Sequence, residues 1–215
     1  MLLVLAAVSS SYGQAFQNLD FESTTVTDLP PKQFEFVSVE VGLPGWSVYI
    51  GTDLQTQITH NSIPLLGYNV SIWGPAYPLS MQPLEGSYSV MLFTGGLNTN
   101  GQSASIAQTG AIPASANSLR FVAQLSNTNA FSVSVAGQSL PVIPLGSGAF
   151  GCDVSAFAGS TDEVRFTAGV LPFGSMNVLD AITFSPDAIP EPSAFLLTGA
   201  GVAMLWAFHR RKRTS

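Results

Sequence analysis

The chain contains few of the residues on which many enzymes and metal proteins depend. Among its 215 residues there are one cysteine and two histidines. The single Cys152 excludes an intrachain disulfide and any metal site built from several cysteines. Because His209 lies beside a basic C-terminal cluster, His60 is the one histidine within the main part of the chain. Sites that require several histidines are therefore excluded there.

Charged residues are also scarce, at 9% of the chain, and the basic ones are concentrated at one end. Residues 16–188 hold three bases against twelve acids. Nucleic-acid binding requires clustered lysine and arginine, so the composition predicts no nucleic-acid partner. Four of the seven bases lie within the last six residues: Arg210, Arg211, Lys212 and Arg213.

The N-terminus is typical of a secretory signal peptide over residues 1–15. An apolar run from Leu2 to Val8 is followed by small residues, and Gly13-Gln14-Ala15 fits the small-x-small rule for cleavage after Ala15. No basic residue precedes the apolar run, which departs from the usual pattern. We expect the protein to be exported; the alternative is a buried first strand.

The C-terminal segment predicts a short membrane anchor. Residues 194–208 carry no charge and would span about 22 Å as a helix. The hydrocarbon core of a bilayer is about 30 Å thick, so such a transmembrane helix is short. Basic residues remain on the cytoplasmic side, which places residues 16–188 outside and residues 209–215 inside. The alternative is a buried C-terminal helix of the domain.

Together these features resemble the PEP-CTERM sorting signal, which would cover residues 189–215. Pro190-Glu191-Pro192-Ser193, the apolar run and the basic cluster stand in the order of that signal. The resemblance implies recognition by an exosortase, a membrane transpeptidase-like enzyme. Processing of the membrane-anchored precursor near the PEP motif would release the ectodomain to the surface or matrix of a Gram-negative, often polysaccharide-producing bacterium. The prolines favour extended backbone, which suits a segment that must enter an enzyme's cleft.

Residues 16–188 have the alternation of an all-β domain. No amphipathic helix of useful length interrupts the pattern. The regular spacing of strands and turns favours a β-sandwich of jelly-roll or immunoglobulin-like type. Residues 54–77 are rich in glycine, proline and aromatics, and we expect long loops there. Apolar and polar residues alternate over 34–41, 87–93, 118–125, 131–137, 163–170 and 177–185.

Several short segments resemble the galactose-binding-like jelly-roll domains of carbohydrate-binding modules and exported bacterial proteins. They are NLDFES, LPGWSVY, PLEGSYSVML, SIAQTGAIPASANSLRFVA and NVLDAITFSP, in that order. The resemblance implies that Glu22 and Asp180 help to hold a structural Ca²⁺ ion, which takes six to eight oxygen ligands. Ala181 stands where the family often has a second polar residue. The alternative is that both carboxylates cap turns without a metal, and no other cofactor is predicted.

Two aromatic residues form a candidate platform for a sugar ring. Trp73 and Tyr77 lie between glycines and prolines in NVSIWGPAYP, and we expect them to be exposed for stacking. The alternative is a loop that these aromatics anchor in the sandwich. The resemblance to the galactose-binding-like domains also implies that Trp46 lies in the core. Cys152 is expected to be buried as a small apolar group.

The sequence favours a non-enzymatic role. A serine–histidine–aspartate triad would have to use His60, which we expect at the surface, and the chain has no G-x-S-x-G motif. The favoured function is an exported surface or matrix protein whose jelly-roll domain binds extracellular polysaccharide or packs into the matrix. The alternative is a secreted carbohydrate-active enzyme with the same sorting signal.

Overall fold

The computed structural model describes residues 13–27, 35–62, 69–75, 82–95, 102–171 and 174–190. The helix α1 (Val39–Gly42) and two 3-10 turns at Thr128–Ala130 and Ser155–Phe157 accompany the strands. The strands are β1 (Glu35–Ser38), β2 (Ser47–Ile50), β3 (Asp53–Gln55), β4 (Gln57–His60), β5 (Asn69–Trp73), β6 (Ser89–Thr94), β7 (Ala104–Ala111), β8 (Ser118–Leu125), β9 (Phe131–Val135), β10 (Gln138–Leu140), β11 (Ile143–Gly146), β12 (Ala149–Asp153), β13 (Thr161–Ala168) and β14 (Ser175–Ser185).

The strands form two sheets arranged as a sandwich. The eight-stranded sheet has the order β1-β4-β5-β6-β14-β8-β12-β11, and the six-stranded sheet has the order β10-β9-β13-β7-β2-β3. The pairs are antiparallel, with β4 and β5 as a parallel pair. The longest strand, β14, lies inside the larger sheet between β6 and β8. The prediction of an all-β sandwich is therefore confirmed.

Aromatic rings from both sheets fill the centre of the core. The Phe166 ring on β13 lies 5.4 Å from the Phe121 ring on β8 in an edge-to-face arrangement. Phe166 also lies 6.3 Å from the Trp46 ring, and Phe121 stacks on Phe150 of β12 at 5.8 Å. These centroid distances are those that favour aromatic pairs. Trp46 is 4% exposed, which confirms its predicted place in the core.

Most of the strands predicted from alternation are present. The segment 34–41 is a strand only in part, because β1 ends at Ser38 and α1 follows it. The backbone N–H of Leu43 donates to the carbonyl of Val39 at 2.7 Å and closes this single helical turn. The other predicted strands correspond, with small shifts at their ends, to β6, β8, β9, β13 and β14.

The expectation of long loops over residues 54–77 is wrong, because this stretch contains most of β3 together with β4 and β5. These strands have three, four and five residues, too few for alternation to separate a strand from a loop. The chain leaves the six-stranded sheet at Gln55 and enters the eight-stranded sheet at Gln57. At this edge of the sandwich, the connection from β3 in one sheet to β4 in the other therefore consists of the single residue Thr56.

Residues near the predicted signal-peptide cleavage position pack against the six-stranded sheet. Ala15 forms a parallel bridge with Ala111 of β7. The backbone N–H of Gln17 donates to the Gln108 side chain at 2.5 Å, and that side chain donates back to the Gln17 carbonyl at 2.9 Å. Cleavage after Ala15 would remove the first contact and leave the pair of hydrogen bonds in place.

Among the described residues, no helix has the length and apolar character needed to cross a membrane. The predicted transmembrane helix at 194–208 and the basic tail at 209–215 lie outside these residues. Residues 1–12 of the predicted signal peptide lie outside them as well.

Candidate functional site

A turn at residues 85–89, which leads into β6, contacts both Glu22 and Asp180, the two acids that the resemblance assigns to a structural Ca²⁺ ion. Glu22 Oε1 accepts hydrogen bonds from the backbone N–H groups of Ser87 at 2.7 Å and Tyr88 at 2.9 Å. Gly86 has a φ of +54°, a conformation that favours glycine. A Cβ atom at Gly86 would collide with the Glu22 carboxylate, so glycine is what allows this close approach. We call residues 85–89 the clamped turn.

Asp180 holds the other side of the clamped turn. Its Oδ2 accepts hydrogen bonds from the backbone N–H of Glu85 at 3.0 Å and from the Ser89 hydroxyl at 2.6 Å. Its Oδ1 accepts from the N–H of Ala181 at 2.7 Å. The register of β14 against β8 shifts after Asp180, and Ala181 has a φ of +47° there. Such bulges redirect side chains, and this one lies where the carboxylate reaches the turn.

Burial dominates the electrostatics of Asp180. The residue is 1% exposed, and desolvation raises the pKa of its carboxyl from 3.8 to about 6. Hydrogen bonds from Ser89, Glu85 and Ala181 oppose this rise, whereas the negative charge of Glu22 adds to it. Asp180 is therefore a buried acid that titrates at mildly acidic pH.

The hydrogen bonds of the clamped turn fit the alternative in which Glu22 and Asp180 cap turns without a metal. Ca²⁺ takes six to eight oxygen ligands, and Glu22 and Asp180 together offer four carboxylate oxygens. Three of these four accept hydrogen bonds, so N–H and O–H donors point towards the oxygens that a cation would need. Over the described ranges, no group of three or more His, Cys, Asp or Glu side chains could hold a metal. These residues do not fit Ca²⁺ by themselves, and the calcium site stays a prediction.

The expectation that Trp73 is exposed is wrong. Trp73 ends β5, is 1% exposed, and packs with Met91 and Val178 in a small apolar cluster beside the main core. The physical reason is its place in a strand between β4 and β6, where neighbouring side chains cover it. Tyr77, the other member of the predicted platform, lies outside the described residues.

The expectation of a surface histidine is wrong as well. His60 is 1% exposed, and its Nδ1 lies 3.5 Å from Oε2 of Glu35. The two residues are direct partners across the β1–β4 ladder, which explains why they meet. Cys152 is buried as predicted, and burial raises the pKa of its thiol to about 12. Neither group is accessible to a substrate.

The sequence patterns do not single out a polar cluster on the outer face of the six-stranded sheet. Arg165 lies with its guanidinium carbon 4.2 Å from the ring centroid of Tyr49, which is within cation–π range. Arg165 also donates Nε and Nη2 to the two carboxylate oxygens of Glu163 at 2.8 Å and 3.2 Å. Buried Val164 and Phe166 flank Arg165, and this alternation is the signal that places Arg165 on the outer face.

Most of the predicted sorting segment lies outside the described residues. Pro190 is the last residue that the structure describes. The members of the segment beyond it are Glu191, Pro192, Ser193, Arg210, Arg211, Lys212 and Arg213.

No family model, no curated protein and no solved structure matches this chain. A functional proposal therefore has to rest on the residues of the chain and on their geometry.

Proposed function

We propose that the chain is a non-enzymatic protein that is exported through the inner membrane and sorted to the cell surface or extracellular matrix. An exosortase would recognise residues 189–215, while the precursor is held transiently in the membrane, and would process it near Pro190–Ser193. The observation that carries the proposal is the order of a proline motif, an uncharged run and a basic cluster directly behind the last strand.

The end of the sandwich supports such processing. β14 ends at Ser185 inside the larger sheet. The carbonyl of Asp187 accepts a hydrogen bond from the Ser118 hydroxyl at 2.7 Å, and its carboxylate lies 3.8 Å from the Arg120 guanidinium. The chain is therefore tied to the sheet almost as far as the motif. Removal of the residues beyond Ile189 takes away no described strand, so the sandwich is expected to persist in the mature protein.

Two observations favour binding or packing over catalysis. His60 is enclosed beside Glu35, and the buried Cys152 thiol has a pKa of about 12. A catalytic base or nucleophile needs access to its substrate, and these two groups lack that access. On the segments that resemble galactose-binding-like jelly rolls, the proposal extends to a role of the sandwich within extracellular polysaccharide.

Mass spectrometry of the extracellular form tests the sorting proposal. The full chain is expressed in a Gram-negative host with and without an exosortase. With the exosortase, we expect a mature protein that begins after Ala15, retains Ile189 and lacks residues 194–215. A mature extracellular form that still carries residues 194–215 would overturn the proposal.

Proline variants separate the sorting motif from a general effect of losing proline. The double variant Pro190→Ala/Pro192→Ala is expected to remain unprocessed, because the backbone is no longer held extended at the motif. Pro186→Ala is the matched control, since its carbonyl still accepts the hydrogen bond from Asn117. Equal processing of the double variant and the control contradicts the role of the motif.

A further inference from the structure

A cleft lies at the edge of the sandwich where the chain changes sheets. It is a half-open depression of about 390 Å³ between α1, the start of β2 and β3. This volume falls within the range of roughly 300–1,000 Å³ that is typical of small-ligand sites. We call it the edge cleft, and it is lined by Glu40, Trp46, Ser47, Leu54, Gln55 and Thr56, among others.

Hydrogen bonds hold the walls of the edge cleft in place. The backbone N–H of Val39 donates to the carbonyl of Thr56 at 3.0 Å and ties α1 to the crossing between the sheets. The indole N–H of Trp46 donates to the carbonyl of Asn18 at 2.9 Å. These two hydrogen bonds fix α1 and the Trp46 side chain, and walls that are fixed in this way lower the ordering cost of binding.

The polar groups of the edge cleft suit a ligand with many hydroxyls. Within the part of the chain that the structure describes, no hydrogen bond uses the side chains of Glu40, Ser47 or Thr56. Gln55 donates its Nε2 to the carbonyl of Asp53 at 2.9 Å, which leaves its Oε1 as an acceptor. Hydroxyl and amide groups can both donate and accept hydrogen bonds, as the hydroxyls of a sugar require.

Leu54 gives the edge cleft an apolar rim that continues onto the outer face of the six-stranded sheet. It is 61% exposed and pairs directly with Tyr49 across the β2–β3 ladder, so both side chains lie on one face. Arg165 lies over the Tyr49 ring, and its ion pair with Glu163 balances its charge. Leu54, Tyr49 and Arg165 thus form a strip, here called the outer strip, that adjoins the cleft.

We propose that the edge cleft binds an uncharged sugar residue of a polysaccharide, with the glycan chain continuing along the outer strip. The C–H face of a pyranose packs on Leu54, while its hydroxyls reach Ser47, Gln55 and the carboxylate of Glu40. Hydrogen bonds to a carboxylate are the stronger, charge-assisted kind. The proposal rests on the proposed function for the presence of polysaccharide, and on the cleft alone for the site.

Charge selects the class of ligand. Glu40 places a carboxylate at the cleft, in a span of the chain that holds twelve acids against three bases. Uronate, phosphate and sulfate groups are repelled by this potential, which favours a neutral glycan. The same excess of acids over bases disfavours a second copy of the chain, because like charges would meet at the contact.

Affinity electrophoresis of the full chain in a mild detergent tests the proposal. Native gels contain dextran, a β-glucan, a mannan or a galactan, with polygalacturonate as the acidic comparison. We expect retardation by at least one neutral polymer and none by polygalacturonate. Calorimetry with oligosaccharides of the retarding polymer then gives the Kd.

Matched variants localise the binding. Leu54→Ser and Gln55→Ala should each raise the Kd about tenfold or more, which corresponds to the loss of about 1.4 kcal/mol of binding free energy. Val170→Ser, at an apolar residue that is 41% exposed outside the cleft, and Gln138→Ala, at an exposed position of β10, should bind like the parent. Melting curves confirm that each variant remains folded.

Three outcomes overturn the proposal: no retardation by any neutral polymer, retardation that Leu54→Ser and Gln55→Ala leave unchanged, or a preference for polygalacturonate. Failure of this inference is distinguishable from failure of the proposed function. A chain that is processed normally but binds no glycan refutes the edge cleft alone. A chain that binds glycan but keeps residues 194–215 in the extracellular form refutes the sorting function alone.

Discussion

Stability of the fold should fall as the pH rises through the range in which Asp180 ionises. Its carboxyl has a pKa of about 6 in the folded protein against an ordinary value of 3.8, chiefly because the group is buried. Between these values the folded state holds more protons than the unfolded chain, so the free energy of unfolding decreases with pH. A difference of about two units corresponds to about 3 kcal/mol, lost between about pH 4 and pH 6.

Chemical denaturation at a series of pH values measures this effect. Asp180→Asn removes the titrating group, so the variant should lack the decrease that Asp180 causes in the parent. Asp153→Asn is the opposite control. Hydrogen bonds from the Ser155 hydroxyl and backbone N–H lower the pKa of the Asp153 carboxyl, so Asp153 stabilises the fold above its pKa and loses that contribution in acid. The same pH dependence in Asp180→Asn and the parent would refute the assignment.

Other perturbations test the clamped turn and the core thiol. Gly86→Ala should lower the free energy of unfolding by about 1–3 kcal/mol, because its φ of +54° strains alanine and the added Cβ displaces Glu22. Gly137→Ala has a φ of +77° with open space around it, so denaturation should show a smaller loss; equal losses would contradict the contact with Glu22. Cys152 should resist iodoacetamide at pH 8 until the chain unfolds, and rapid labelling of the folded protein would disprove its burial. If Glu22 and Asp180 only cap the turn, addition of Ca²⁺ or a chelator should leave the melting temperature unchanged, whereas a rise with Ca²⁺ would support the calcium site.

The long strands could be predicted from the sequence because each exposes one face and buries the other. In β13, buried Val164 and Phe166 alternate with less buried Arg165 and Thr167, which is the period-two signal of a sheet. β5 is buried along its whole length, and β3 and β4, which precede it in the chain, are shorter still. The alternation of apolar and polar residues therefore says little about secondary structure in these strands. The sequence of residues 54–77 resembles that of a loop for this reason.

The candidate sites depended on the tertiary structure to different degrees. The resemblance paired Glu22 with Asp180, and the fold brings both to one turn, yet their oxygens accept hydrogen bonds from that turn. Trp73 and His60 lie in polar or glycine-rich stretches that predict exposure, but their strands lie inside a sheet. Burial depends on which strands become neighbours, and no local window of sequence contains that information.

By itself, the sequence determined the all-β class and the linear order of the C-terminal segment, because both are properties of residues that are neighbours along the chain. The tertiary structure decided what distant residues do together. It buries Asp180 beside the turn that Glu22 also holds, and it forms the edge cleft where Thr56 carries the chain between the sheets. Those features come from pairing between remote strands, and their energetics follow from the exclusion of water at the places where the strands meet.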